Sequence, residues 1–228
     1  MTERGRAHWN ARYAAGHDLW SRGPHPAVTA LVPGLPIPLD GARRAVDLGA
    51  GEGRHAVWLA NQGWQVEAVD FAEEAVQRGQ AYSRAAGAEV AWHVAAAEEW
   101  QPLAPVDLLL LCYFHLEPDA FRRSLTWLRP SGHVLVISHA DDPTADSTDD
   151  GADGGIPRRG PRNRRFRHSP QSLRGMATGL DIHFCDHWPP AGVGTSRAAG
   201  SAMAGSRSDV VLFARVQAVP VEGSGPRR

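Results

Sequence analysis

Apolar and polar positions follow two different periods along this chain, and each change of period marks an element. Residues 3–15 are polar with Ala, His8, Trp9 and Tyr13, and fit one short helix. Leu19-Trp20-Ser21-Arg22-Gly23-Pro24 breaks it. A second helix fits Ala27–Leu31, after which Pro33, Pro36 and Pro38 forbid regular structure up to Asp40. Ala45–Leu48 is a short apolar strand, Gly49–Gly53 a tight turn, and Ala56, Val57, Leu59 and Ala60 a helical stripe with Gly63 suited to its C-terminal cap. Trp64–Val69 alternates as a strand that ends in Asp70; Ala72–Ala86 fits a helix closed by Gly87; Val90–Val94 is a third strand. Val106–Leu111 is apolar throughout, as a strand covered on both faces must be. A helix over Asp119–Leu128, a turn at Pro130-Ser131-Gly132 and a strand over His133–Ser138 follow. Ser169-Pro170 reads as the N-cap and first residue of another helix, and Leu180–Cys185 and Val210–Val216 are the last strands.

Strands alternating with helices predict βαβ units with right-handed crossovers. The expected fold is therefore α/β, one domain, with seven strands in a doubly wound, mostly parallel sheet and helices on both faces. Residues 1–32 form an N-terminal helical segment and 43–216 the main domain, with a frayed tail over 217–228. Inside the domain, residues 140–168 carry an Asp block followed by an Arg block with few apolar positions, which predicts a flexible loop. It reads either as an active-site flap or as a solvated insertion. The stretch 189–208, rich in Gly, Ala and Ser, reads as a second loop.

The chemistry concentrates in Val46-Asp47-Leu48-Gly49-Ala50-Gly51-Glu52-Gly53-Arg54. Glycines between a strand and a helix let backbone approach a ligand closely, and the helix N-terminus adds free N–H groups and partial positive charge. Arg54 stands where a dinucleotide fingerprint needs its third glycine. Asp47, just before the turn, would repel a pyrophosphate. A ligand with an ammonium and a carboxylate fits better: Asp47 supports the first, and the turn's amides and the helix N-terminus receive the second. Asp70 lies about 20 residues beyond the first glycine, the spacing of a ribose acceptor. It equally suits a cap for the next helix. A ribose at one end and an amino acid at the other describe S-adenosylmethionine.

The span VDLGAGEGRHAVWLANQGWQVEAVDFAEEAV resembles the first two motifs of the class I S-adenosylmethionine-dependent methyltransferases, whose fold is Rossmann-like. HWNARYAAGHDLWSRGPHP and LCYFHLEPDAF resemble a small-molecule subgroup related to the tellurite-resistance and thiopurine methyltransferases. The resemblance runs from His8 to His139, and more loosely over Arg162–Val216. It implies that Gly49, Gly51 and Gly53 line the methionine part, that Asp70 holds the ribose and that Phe71 packs on the adenine. Ala96, beside Ala97, stands where the family often has an acidic residue; Glu98 or a backbone carbonyl would have to serve instead. Cys112 ends strand four, where the family's backbone carbonyl meets the methionine amino group. The N-terminal segment closes over the cofactor in the resembled family, which assigns Trp20 and Arg22 to the cofactor side. Trp9 and Tyr13, four apart on one helix face, either join that lid or dock the helix on the core.

His115 follows strand four and is the candidate general base; its alternative is a loop histidine that shapes the pocket. His139 admits the same two readings. His183, Cys185 and His187 alternate, so an unbroken strand would place them on one face, but a fourth metal ligand is missing and no metal is expected.

Charge and composition narrow the function further. The net charge of −1 gives no global field for nucleic acid, and the Asp block offsets the Arg158–Arg167 cluster. No apolar run of about 18 residues spans a membrane, and the N-terminus lacks the apolar core of a secretory signal. Two cysteines make no disulfide framework, so a cytoplasmic protein is expected. The chain has no lysine, which excludes Schiff-base chemistry. The expected function is methyl transfer to a small-molecule acceptor by in-line displacement. A non-catalytic S-adenosylmethionine-binding module, suggested by Ala96, and a nicotinamide-dependent oxidoreductase, opposed by Arg54, are the alternatives.

Overall fold

The computed structural model describes residues 3–16, 23–36, 41–141, 166–190 and 209–217. The elements run α1 (Glu3–Ala15), α2 (Pro26–Leu31), β1 (Arg44–Leu48), α3 (Arg54–Asn61), β2 (Gln65–Asp70), α4 (Glu73–Ala85), β3 (Val90–Val94), β4 (Val106–Cys112), α5 (Pro118–Leu125), β5 (Leu128–Ala140), β6 (Arg167–His168), α6 (Pro170–Met176), β7 (Leu180–Trp188) and β8 (Asp209–Val216). The sheet order is β3-β2-β1-β4-β5-β8-β7. β1 to β5 are parallel, and β8 enters antiparallel between β5 and β7. All seven expected strands are present, and the mostly parallel, doubly wound arrangement follows the alternation of the sequence.

Alternate residues of the central strands face opposite layers. Val46, Leu48, Leu109, Leu111, Val134, Val136 and Leu212 pack with Phe121 of α5 and Leu173 of α6. Ala45, Leu108, Leu110, Leu135, Ile137 and Val211 pack with Val28 of α2 and Ala56 and Leu59 of α3. Burying a Leu or Val on either face contributes about 1.5–3 kcal/mol, and this two-sided burial is what the unbroken apolar run in β4 encodes.

Three expectations need correcting. β6, the end of the predicted loop 140–168, is part of the sheet: His139 and Ala140 pair with Arg167 and His168, and Asp141 N–H donates to the His168 carbonyl at 2.8 Å. The rest of that loop (142–165), residues 17–22 with Trp20 and Arg22, and the tail beyond Gln217 lie outside the described residues. β5 begins at Leu128 rather than His133; the Pro130-Ser131-Gly132 turn persists inside it as Ser131 with φ +67° and a register jump against β4. Finally, β7 carries an irregularity between Ile182 and Phe184. This breaks the His183–Cys185–His187 alternation: His183 rests against Phe213 and His133 of the α3 face, whereas Cys185 packs into the α6 face. No group of metal-ligating side chains exists among the described residues. No helix among them is long and apolar enough to cross a membrane.

Candidate functional site

The parallel strands β1 to β5 end on one edge, and the antiparallel β8 begins there. The glycine turn, Asp70, Ala96, Cys112, His139 and Asp209 therefore share that edge, with the order reversal between β1 and β4 at its centre.

The turn is held by its own backbone. Gly49 and Ala50 N–H groups donate to the Val69 carbonyl at 2.8 and 3.0 Å, and Gly53 N–H donates to the Ala50 carbonyl at 2.9 Å. Gly51 N–H donates to Asp70 Oδ2 at 2.9 Å. These four amides are engaged inside the protein, contrary to the expectation that the turn's amides receive a ligand carboxylate. The turn contributes shape instead. Gly49, Gly51 and Gly53 have φ of +74°, +56° and +79°, which only glycine adopts without strain. A Cβ on Gly49 would meet the Phe114 ring at 2.3 Å, and one on Gly53 the Trp92 ring at 2.2 Å.

Asp47 lies buried in β1, where its Oδ2 accepts the Ala56 N–H at 3.1 Å. Gly53, at the N-cap of α3, has no side chain to offer, so the strand supplies the helix with its cap. Burial pushes the Asp47 carboxyl up to about 7, against the Ala56 hydrogen bond and the Arg54 charge, with Asp70 adding to the rise.

Asp70 ends β2. Its Oδ1 accepts the Ala72 N–H at 2.8 Å while Oδ2 takes Gly51, so it ties the turn to the start of α4. The cap reading is the one observed, and each oxygen has a second lone pair with which it can accept another hydrogen bond. Burial raises its pKa, and the amides of Ala72, Gly51 and Phe71 oppose the rise. Phe71 is buried with Tyr13, Ala72 and Ala75, and Trp9 packs against this group. The Trp9 and Tyr13 rings lie 5.9 Å apart, and Glu74 N–H donates to Asn10 Oδ1 at 3.3 Å. These two aromatics dock α1 onto the start of α4.

Ala96 and Ala97 follow β3 and are buried. Arg123 of α5 braces this segment by donating to the Ala97 carbonyl at 2.7 Å. Cys112 ends β4, and an Arg54 N–H points at its Sγ from 3.8 Å. Burial pushes this thiol up to about 12 despite Arg54, so it stays protonated and is not a nucleophile.

His115 is paired with a residue that the sequence did not connect to it. Its Nδ1 lies 3.2 Å from His168 Nε2, the rings stack at 4.4 Å, and His168 Nδ1 lies 3.2 Å from Ser172 Oγ. Burial, with His115 adding, lowers His168 to about 4. Pattern reading also missed Arg54, Tyr113 and Asp209. Asp209 had one signal, an acid at the head of an apolar strand, but nothing in the sequence identifies its neighbours.

An adenosyl amino acid fits this edge. The buried Asp70 carboxylate can accept ribose hydroxyls, Ala96–Ala97 carry no bulk to obstruct the approach, and Arg54 at the head of α3 offers a cation to a carboxylate.

Residues 45–132 match the family described as a methyltransferase domain. No curated protein matches the chain. Many solved structures share its fold. One was solved in connection with the conversion of a disulfide bond into a thioacetal group during echinomycin biosynthesis (21% identity, 93% of each chain, TM-score 0.65). Another is the 1,6-didemethyltoxoflavin-N1-methyltransferase of Burkholderia thailandensis, with bound 1,6-didemethyltoxoflavin and S-adenosylhomocysteine (22% identity, 93% of this chain and 87% of that one, TM-score 0.60). A third is TehB from Haemophilus influenzae (15% identity, 85% of this chain and 63% of that one, TM-score 0.58). At these identities the likeness is one of fold.

Proposed function

We propose that the chain is a class I methyltransferase that uses S-adenosylmethionine and transfers its methyl group to a small-molecule acceptor by in-line displacement, a reading supported by the match of residues 45–132 to a methyltransferase domain. The observation that carries this reading is the division of the carboxyl edge. The glycine turn, Asp70 and Ala96–Ala97 stand over β1, β2 and β3. The tips of β5 and β8 stand on the same edge, beyond β4.

When bound, the cofactor supplies a methyl group on a sulfonium, a leaving group that needs no activation by the protein. The chain's own residues bind and align. Asp70 accepts the ribose hydroxyls. Phe71 forms the adenine wall and is itself held by Tyr13. Gly49, Gly51 and Gly53 flank the methionine part, with Arg54 beside its carboxylate and the Cys112 carbonyl toward its ammonium, while Asp47 caps α3. Ala96 offers no acid to the adenine, and backbone around Ala97, braced by Arg123, takes that place. His115, hydrogen-bonded to His168, lines the acceptor side. The acceptor is a free small molecule in the cytoplasm rather than nucleic acid or a membrane.

The test is incubation with methyl-labelled S-adenosylmethionine and separate pools of small phenols, thiols and amines, with DNA, RNA and protein as further arms. Label in a small organic product supports the reading. Label confined to a macromolecule contradicts it, as does cofactor binding with no transfer to any pool.

A further inference from the structure

A glycine inside a helix weakens it, and α4 carries one. Gly79 is buried within Glu73–Ala85, at a position where alanine would favour the helix. Trp92 accounts for the missing side chain. A Cβ on Gly79 would stand 2.1 Å from Cη2 of the Trp92 ring, and a Cβ on Gly53 would stand 2.2 Å from the same atom. The tip of one indole therefore fills the space between two glycines, one at the head of α3 and the other in α4. Trp92 comes from β3, opposite Ala68 of β2, and enters the slot from the α3 face of the sheet. Its Nε1–H donates to Ser83 Oγ at 3.3 Å, one turn beyond Gly79 on the same face of α4. Ser83 is buried and donates in turn to the Gln80 carbonyl at 3.1 Å. The ring is thus held at its nitrogen by Ser83 and at its tip by the two glycines.

The slot borders the outer half of the glycine turn. The inner half, Gly49 to Gly51, is tied to β2 through the Val69 carbonyl and Asp70. The outer half, Glu52 and Gly53, meets α4 and β3 instead. Arg78, the residue before Gly79, donates to Glu52 Oε1 at 3.1 Å, and Trp92 lies against Gly53. Arg54 follows directly, so whatever fixes Gly53 also fixes the first residue of α3.

We propose that Trp92 is a positioning residue for the amino-acid end of the cofactor: slotted between Gly53 and Gly79, it sets the outer half of the glycine turn and the head of α3, and Gly79 is glycine in order to admit it. This rests on the methyltransferase reading above, and adds to it a residue that acts through Gly53 rather than on the ligand.

The cause is backbone freedom. Gly53 has φ +79°, and glycine has more conformations to lose than any other residue. Without the indole behind it, the empty turn keeps that freedom and must give it up when the ligand binds, so affinity falls although no contact to the ligand is removed. The loss falls on the methionine part, which Gly53 and Arg54 flank in this reading. Asp70 and Phe71, on the adenosine side, are held separately by the start of α4 and by Tyr13.

The test is calorimetric titration of the full chain with S-adenosylhomocysteine and with 5′-methylthioadenosine, which has the adenosine and lacks the amino-acid end. Trp92→Ala should bind S-adenosylhomocysteine about tenfold more weakly than wild type, and 5′-methylthioadenosine with unchanged affinity. A ring that only fills space would weaken both ligands equally or neither, and either result overturns the proposal. Gly79→Ala, a single added methyl group, answers the same question where Trp92→Ala does not fold. In the wild-type background its Cβ presses on the indole and should weaken S-adenosylhomocysteine about fivefold. Added to Trp92→Phe, whose shorter ring vacates the slot, the same alanine should cost no further affinity and should raise the thermal midpoint. An equal loss from Gly79→Ala in both backgrounds overturns the proposal. Failure of S-adenosylhomocysteine to bind the wild type overturns the cofactor reading beneath it.

Discussion

Asp47→Asn should flatten the pH dependence of folding stability. In the folded chain this buried carboxyl is pushed up to about 7 from an ordinary 3.8, chiefly by loss of water. Below pH 3.8 it is protonated in both states and adds nothing to the difference. As pH rises, the unfolded chain releases the proton first, so stability falls until the folded carboxyl also ionises near pH 7. The full loss is about 4 kcal/mol, a little over three units at 1.36 kcal/mol each. Between pH 5 and pH 8 it is about 3 kcal/mol. Asparagine keeps an oxygen for the Ala56 N–H and does not titrate. Urea unfolding of both proteins at pH 5, 6.5 and 8 checks this. The stability of the variant relative to wild type should rise by about 3 kcal/mol across that range. Taking the difference cancels every other titrating group. A constant difference would show that Asp47 is ionised throughout, paired far better than a single helix cap allows.

Two further perturbations test how the site is built. Gly53→Ala should cost about 3 kcal/mol, from a left-handed φ of +79° and from a Cβ placed 2.2 Å from the Trp92 ring; thermal unfolding measures it, and an unchanged midpoint would mean that Trp92 moves aside freely. Tyr13→Ala should cost about 3 kcal/mol by removing a buried ring from Phe71 and should also weaken S-adenosylhomocysteine binding. Deleting residues 1–22 should do both more severely, and full stability with full affinity in the truncated chain would remove α1 from the site.

The sheet could be read from the sequence because each strand carries its own signal. β4 is apolar throughout, β2 alternates, and Gly63 and Gly87, with φ of +82° and +63°, sit just past helix ends where a left-handed residue is needed. Ser169-Pro170 could be read for the same reason, since a capping box with Ser172 is local chemistry. That the turn and Asp70 meet was legible too, because they belong to one βαβ unit. β6 was not, since two residues between polar neighbours carry no period. The cluster around Asp209 was illegible for a different reason. His25 and Asp209 are 184 positions apart and meet only because β8 inserts antiparallel between β5 and β7, which puts its first residue where the parallel strands end. Asp47 looked like a ligand group in sequence, and its hydrogen bond goes to a helix, because a glycine N-cap has no side chain and the nearest buried acceptor takes its place.

The most direct test of the account is calorimetric titration of S-adenosylhomocysteine into the wild type and into Asp70→Ala. The Asp70 carboxylate touches both the glycine turn and the start of α4, at the end of the strand beside it. The wild type should bind the ligand, and the folded variant should bind it more weakly by about 1.5–3 kcal/mol, the worth of hydrogen bonds to a charged group. Equal affinity in a cooperatively folded variant, or no binding to the wild type, would contradict the account.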